Sequence, residues 1–200
     1  MAGDAMNRRF LALALSFAIV GCGGAPATRS EPPLAGARIG GPFTLTDQDG
    51  RRVSAKDFAG RYTIVYFGYT FCPDVCPVDV AAIGAGVKAF EAKHPQPGAR
   101  ITPIFVSVDP KRDTPAVLKE FVANFHPRMV GLTGSKAEID AAAKSYGIYY
   151  AIEPPAPGGG YLVSHSRQAY LMGPDGKPIA LLPAEQGGEA VAAELQRWIS

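Results

Sequence analysis

Apolar positions along the chain fall into segments of alternating period. Thr63 to Phe67 is an apolar, β-branched and aromatic run, expected as a central strand, and Ile101 to Val108 is the next buried strand. Between them Val80, Ile83, Val87 and Phe90 recur at helical spacing within Pro77 to Lys93. Thr114 followed by Pro115 predicts an N-cap with proline at the first helical position; Val117, Leu118, Phe121 and Val122 give that helix its apolar face. Val130 to Thr133 reads as a short strand. Ser135 caps a further helix with Ile139 and Tyr146 on its buried side, and Gly147 ends it. Phe43 to Thr46 alternates like a strand and turns through Asp47–Gly50 into Arg51 to Val53. Tyr149 to Ile152 is expected to be extended, and Pro154 to Gly160 to be a loop. Strands around Gln168 to Met172 and Pro178 to Leu182 follow, joined by a Gly-Pro-Asp-Gly turn, and Glu189 to Ile199 closes the chain as a helix. The alternation predicts an α/β fold: a central mixed sheet flanked by helices.

The N-terminal segment reads as targeting rather than fold. Arg8 and Arg9 supply a positive region, and Phe10 to Val20 an apolar stretch too short for a comfortable membrane span. Ile19-Val20-Gly21-Cys22 resembles a bacterial lipobox, with Cys22 as the lipidated residue. Residues 1–22 are therefore expected as a lipoprotein-type signal, 23–41 as a flexible tether rich in Gly, Ala and Pro, and 42–200 as the folded domain. That places the domain in the bacterial cell envelope, in the periplasm or at the outer face of the inner membrane, held through a lipid anchor. A net charge of +2 with no basic block argues against a nucleic-acid partner, and three cysteines exclude a disulfide scaffold.

The most informative stretch is Tyr66-Phe67-Gly68-Tyr69-Thr70-Phe71-Cys72-Pro73-Asp74-Val75-Cys76-Pro77, where a strand opens into a helix. On a helix Cys72 and Cys76 stand at i and i+4 and share a face, and a helix N-terminus favours thiolate. Such a pair suits a soft metal such as Cu(I), or joins in a disulfide. Thiols at this junction suggest a thioredoxin-like architecture. Two thiolates leave a metal under-coordinated, so the histidines matter. His94 at a helix end and His126 before Pro127 read as surface and structural residues; His165 follows a glycine-rich loop just before a strand expected in the same sheet. Asp74 reads as a solvated first-turn acid. Phe67, Tyr69 and Phe71 are expected to pack the core and shelter the thiols, and Asp109, Arg112 and Asp113 to form a loop ion pair.

The cysteine stretch resembles the signature of the Sco/SenC family of copper chaperones. Phe43–Gly50, Ser107–Thr114 and the His165 segment with Tyr170–Gly176 resemble that family too, in the right order. The resemblance implies a thioredoxin-like domain that binds one copper, Cu(I) or Cu(II), through Cys72, Cys76 and His165. It implies delivery to the binuclear copper centre of a cytochrome c oxidase subunit, with a thiol reductant or upstream copper donor as second partner. Ser164 stands where the family often has aspartate. The alternative reading is an enzyme, a membrane-tethered thiol-disulfide reductase using Cys72 and Cys76 as its redox pair. A peroxidase is a weaker third option, because nothing marks an activated peroxidatic thiol.

Overall fold

Strand β3 (Tyr62–Gly68) is buried along all but its first residue. Its successive side chains point to opposite faces, so Ile64 and Tyr66 enter one hydrophobic cluster while Val65 and Phe67 enter another. Strand β4 (Ile101–Ser107) divides likewise, with Ile101 and Phe105 on the first face and Ile104 and Val106 on the second. This is why both stretches read as apolar runs rather than alternations. The chain is described here by a computed structural model over residues 31–155 and 159–199.

One sheet has seven strands in the order β2-β1-β5-β4-β3-β8-β9, built from β1 (Thr44–Asp47), β2 (Arg52–Ser54), β5 (Val130–Thr133), β8 (Ala169–Met172) and β9 (Pro178–Leu182) around the central pair. β3, β4 and β5 run parallel, and β1, β8 and β9 pair antiparallel to their neighbours. Parallel neighbours need crossovers; helices α1 (Val75–Lys93) and α3 (Pro115–Ala123) supply them. These two and α5 (Gly188–Trp198) bury Val80, Ile83, Val87, Phe90, Leu118, Val122, Val191 and Leu195 against one face. Helix α4 (Lys136–Ser145) brings Ile139, Ala142 and Ala143 to the other face, beside Leu45. Both expected caps form. Thr114 accepts from the Val117 N–H, and Ser135 with Glu138 makes a reciprocal capping box. A short helix α2 (Pro95–Gly98) and two 3-10 turns, at Ala55–Phe58 and Ala184–Gln186, carry too few residues for a period and were not expected.

Two features depart from expectation. The stretch 31–41, expected as tether, lies partly on the domain. Leu34 and Ile39 pack against the second cluster, the Leu34 N–H donates to the Ile179 carbonyl at 3.0 Å, and the Gly40 N–H to Ser145 at 2.9 Å. Two apolar side chains and two backbone hydrogen bonds hold a segment whose overall composition suggested a linker. The signal segment, Cys22 and residues 23–30 lie outside the described residues. Second, residues around His165 form a strand, β7 (Val163–His165), which among the described residues pairs with β6 (Tyr150–Ile152) alone, in a separate ribbon. No helix among the described residues is long and apolar enough to cross a membrane.

Candidate metal centre

The carboxyl ends of parallel strands are where ligand sites form in open α/β sheets, and here β3 and β4 end level, with Gly68 paired to Ser107. From Gly68 the chain turns through Tyr69–Asp74 into α1. Cys72 lies in this turn, and Cys76 is the second residue of the helix. The two thiols therefore do not share a helical face, as the spacing suggested. Instead the Cys72 Sγ accepts the Cys76 N–H at 3.5 Å, so the thiol stands where a cap side chain usually meets a helix N-terminus. Asp74 occupies the N-cap position, exposed and without a side-chain cap bond, rather than the first turn.

His165 arrives from the opposite direction. β8 runs antiparallel to β3 with Ala169 opposite Tyr66, so the chain entering β8 passes the carboxyl end of β3. Four residues upstream, His165 meets the thiols. A sulfur from each cysteine and a ring nitrogen of His165 all lie within 4.8 Å of one another. The His165 Nε2 is 2.9 Å from the Cys76 Sγ, and its Nδ1 is 2.9 Å from the Ser166 carbonyl. A carbonyl only accepts, so the hydrogen-bond network assigns the proton to Nδ1 and leaves the Nε2 lone pair aimed at the sulfur. Fixing the outer nitrogen on a carbonyl is how metal-binding imidazoles are commonly oriented.

The thiols are unequal. Burial raises the Cys72 pKa, but the N–H groups of Asp74, Cys76 and Val75 favour its thiolate and bring the net value below that of an ordinary thiol. Cys76 is fully buried. Burial pushes its thiol well up, the neighbouring Cys72 adds to that, and the Tyr69 N–H opposes it. Burial also lowers His165 below the ordinary imidazole value, against the Ser166 carbonyl. The ring is thus neutral at pH 7, as a metal ligand must be. Two sulfurs and one imidazole form a soft donor set suited to Cu(I), with imidazole acceptable to Cu(II). A structural zinc site would want four protein ligands, and the cluster offers three.

Sequence reasoning missed the support around these donors. Asp79, fully buried in α1, accepts the Tyr66 hydroxyl at 2.8 Å and the Arg167 Nε and Nη2 at 2.9 and 2.7 Å. This ties the helix carrying Cys76 to the strand entry carrying His165. Asp79 follows Cys76 by three residues, and that helical spacing was the available signal. The rings of Tyr66 and Tyr69 meet the His165 ring edge-on at 6.2 and 6.0 Å.

The remaining expectations divide. Phe67 and Tyr69 are buried, but Phe71 is 54% exposed. Asp109 pairs with Arg112, whereas Asp113 binds the Thr70 N–H and the Thr70 and Ser107 hydroxyls. His94 is the C-cap of α1, its ring tilted against that of Phe90 at 4.8 Å. His126 is buried beside Glu91 and accepts the Arg128 N–H on Nδ1. Neither reaches the thiols. Ser164, with its side chain on the face of β7 opposite to His165, hydrogen-bonds Glu153.

A thiol pair at a strand-to-helix turn, faced by an imidazole from the antiparallel neighbour, defines a thioredoxin-like protein with a soft-metal donor set. The family model described as SCO1/SenC matches residues 31–200, and the chain belongs to that family. It is 46% identical over 148 residues to Protein SenC of Rhodobacter capsulatus, covering 74% of this chain and 65% of that protein. The chain spans about half the length of the curated relatives it matches. Among solved structures, Bradyrhizobium japonicum ScoI with copper bound superposes with a TM-score of 0.71 at 39% identity, covering 80% of this chain and 99% of that one. BsSco, described as a member of the Sco family of cytochrome c oxidase assembly proteins and as having a disulfide switch, superposes with a TM-score of 0.59 at 29% identity, covering 80% and 94%.

Proposed function

We propose that this protein binds one copper ion through the Cys72 Sγ, the Cys76 Sγ and the His165 Nε2, and passes it to the binuclear copper centre of a cytochrome c oxidase subunit. The observation that carries the reading is the convergence of these three donors within 4.8 Å, on a chain whose family includes copper-bound structures. Copper is cargo here. Three protein ligands leave one approach open, through which an acceptor's own ligands can enter before these let go. Uptake requires both thiols to lose their protons. Cys72 is already inclined to do so and Cys76 resists until a cation compensates its burial, so apparent affinity rises with pH. In an oxidising compartment the pair must be kept reduced, which calls for a thiol reductant or an upstream donor that arrives with Cu(I).

Copper titration of the reduced protein is the test. The wild type is expected to take up one equivalent and His165→Ala to lose stoichiometric uptake. Normal uptake by the variant removes His165 from the ligand set.

One observation favours a second reading, a thiol-disulfide reductase: a half-exposed thiol of lowered pKa stands in front of a buried one. The Cys72 thiolate would attack a partner disulfide, forming a mixed disulfide and releasing one partner thiol. Cys76 would then attack Cys72, closing an internal disulfide and releasing the second thiol. Efficient disulfide reduction without copper affinity selects this reading over the first.

The proposal extends to location. Cleavage before Cys22 and lipidation of its thiol would hold the domain at the outer face of a bacterial inner membrane and raise its concentration near a membrane-bound acceptor. Mass analysis of the protein from bacterial membranes should find a lipid-modified N-terminal Cys22; an uncut chain with a free Cys22 thiol overturns this part.

A further inference from the structure

We infer that Arg112 is a positioning residue of the metal centre, the group that holds the Cys72 turn and the His165 segment at their working separation. The inference rests on the copper reading above and adds to it a residue outside the ligand set.

Arg112 belongs to the loop between β4 and α3, which carries none of the three donors. Its guanidinium nevertheless touches both segments that do. The Arg112 Cζ lies 3.7 Å from the centre of the Tyr161 ring, 5.1 Å from that of Phe71 and 5.5 Å from that of Tyr69. Phe71 is the residue before Cys72, and Tyr161 lies four residues before His165. Nη1 donates to the Tyr161 carbonyl at 2.9 Å, Nε pairs with Asp109, and the Tyr161 hydroxyl closes the circuit on the other Asp109 oxygen at 2.8 Å. Asp109 is itself buried, with its N–H held by the Ser107 hydroxyl. The next residue, Asp113, fixes Thr70 through two hydrogen bonds, so the same loop grips three successive residues of the Cys72 turn, Tyr69 to Phe71. A planar cation that stacks and forks at once suits this place; a lysine ammonium does neither.

Its buried Nη2 meets no hydrogen-bond partner among the described residues. The guanidinium is held instead against the rings of Phe71 and Tyr161, so its position fixes their spacing. Arg128 provides the contrast. It pairs with Glu91 and bonds the carbonyls of Gly98 and Ile101, at the other end of β4 from the metal centre.

The experiment compares Arg112→Lys, Tyr161→Leu and Arg128→Lys with the wild type in three measurements. These are Cu(I) affinity by chelator competition, the thiolate-to-copper absorption of the Cu(II) form, and amide hydrogen exchange of residues 161–165 without metal. Arg112→Lys is expected to weaken copper roughly tenfold or more, to shift the absorption band, and to speed exchange across the His165 segment. Tyr161→Leu, which removes the ring and leaves the cation, should give the same signature and covers the case in which Arg112→Lys does not fold. Arg128→Lys should lower the unfolding midpoint and move none of the three. Wild-type affinity, band and exchange in a folded Arg112→Lys overturn the inference, as does an Arg128→Lys that loses copper in the same proportion to its stability. A wild type that binds no copper refutes the copper reading instead. The exchange measurement then still decides whether Arg112 braces the segment.

Discussion

Cys72 and Cys76 are four residues apart and chemically unlike, because one sits on a turn beneath three N–H groups and the other is closed inside the core. Residue identity announced both thiols and the imidazole as donors. It could not announce which thiol is activated, since that depends on hydrogen bonds made by the folded backbone. The same limit applies to His126, which read as structural and is. Its surroundings set a testable pH response. Burial depresses its pKa below the ordinary 6.5; Glu91 works against this, and Arg128 and Lys88 with it. A depressed folded-state value means the unfolded chain takes up the proton first. The stability gained by keeping the ring neutral is complete above about pH 6.5 and is lost as pH falls through the lower folded value. His126→Asn, which retains an acceptor for the Arg128 N–H, should flatten the decline of the urea midpoint between pH 7 and 5. His165 shifts in the same direction, so part of the slope should remain. Identical slopes for variant and wild type would remove His126 from the explanation.

At the scale of elements, hydrophobic period did most of the work. β3 and β4 were legible as unbroken apolar runs because both their faces are buried, and α1, α3 and α4 because each buries one face, which leaves a period in the sequence. Two of the short elements were not: β7 has three residues and, among the described residues, no partner beyond β6, and α2 has four residues. Close packing between helices was also invisible. Gly86 looks like a weak point in α1, and by propensity alone alanine should improve the helix by about 1 kcal/mol. In the fold a Cβ on Gly86 would lie 2.5 Å from the Val191 Cγ1 and 2.9 Å from the Gly188 carbonyl, both at the start of α5. A branched side chain and a backbone atom have little room to yield. Gly86→Ala should therefore lower stability by about 1–3 kcal/mol in urea unfolding, reversing the propensity expectation. A gain in stability would mean that α1 and α5 can separate more easily than their contact implies. Ser135 offers the complementary case, a residue whose capping role with Glu138 was readable locally and is made locally.

At the scale of the whole molecule, the candidate centre belongs to no single element. Cys72 comes from a turn, Cys76 from α1 and His165 from a ribbon outside the main sheet, and they converge only when β8 has paired with β3. A ligand held by all three binds the folded state and not the unfolded chain, so copper should stabilise the entire domain. At a free concentration a hundred times its dissociation constant it adds about 2.7 kcal/mol, which for a chain of this size is a rise in Tm of about 5–10 °C. A chelator should reverse the rise, and Cys76→Ser should abolish it. A rise that survives Cys76→Ser would place the ion elsewhere. Sequence alone determined the α/β class and the order of nearly all long elements, because burying one face demands a periodic pattern, and burying both an apolar run, wherever that element ends up. It also determined the donor types, since sulfur and imidazole are properties of residues. The tertiary structure alone decided that Cys72 stands off the helix, that Asp79 and Arg112 brace the donors, and that Leu34 and Ile39 belong to the domain. Each of these depends on contacts between segments distant along the chain, and apart from the helical spacing of Asp79 from Cys76 such contacts leave no period and no fixed spacing to read.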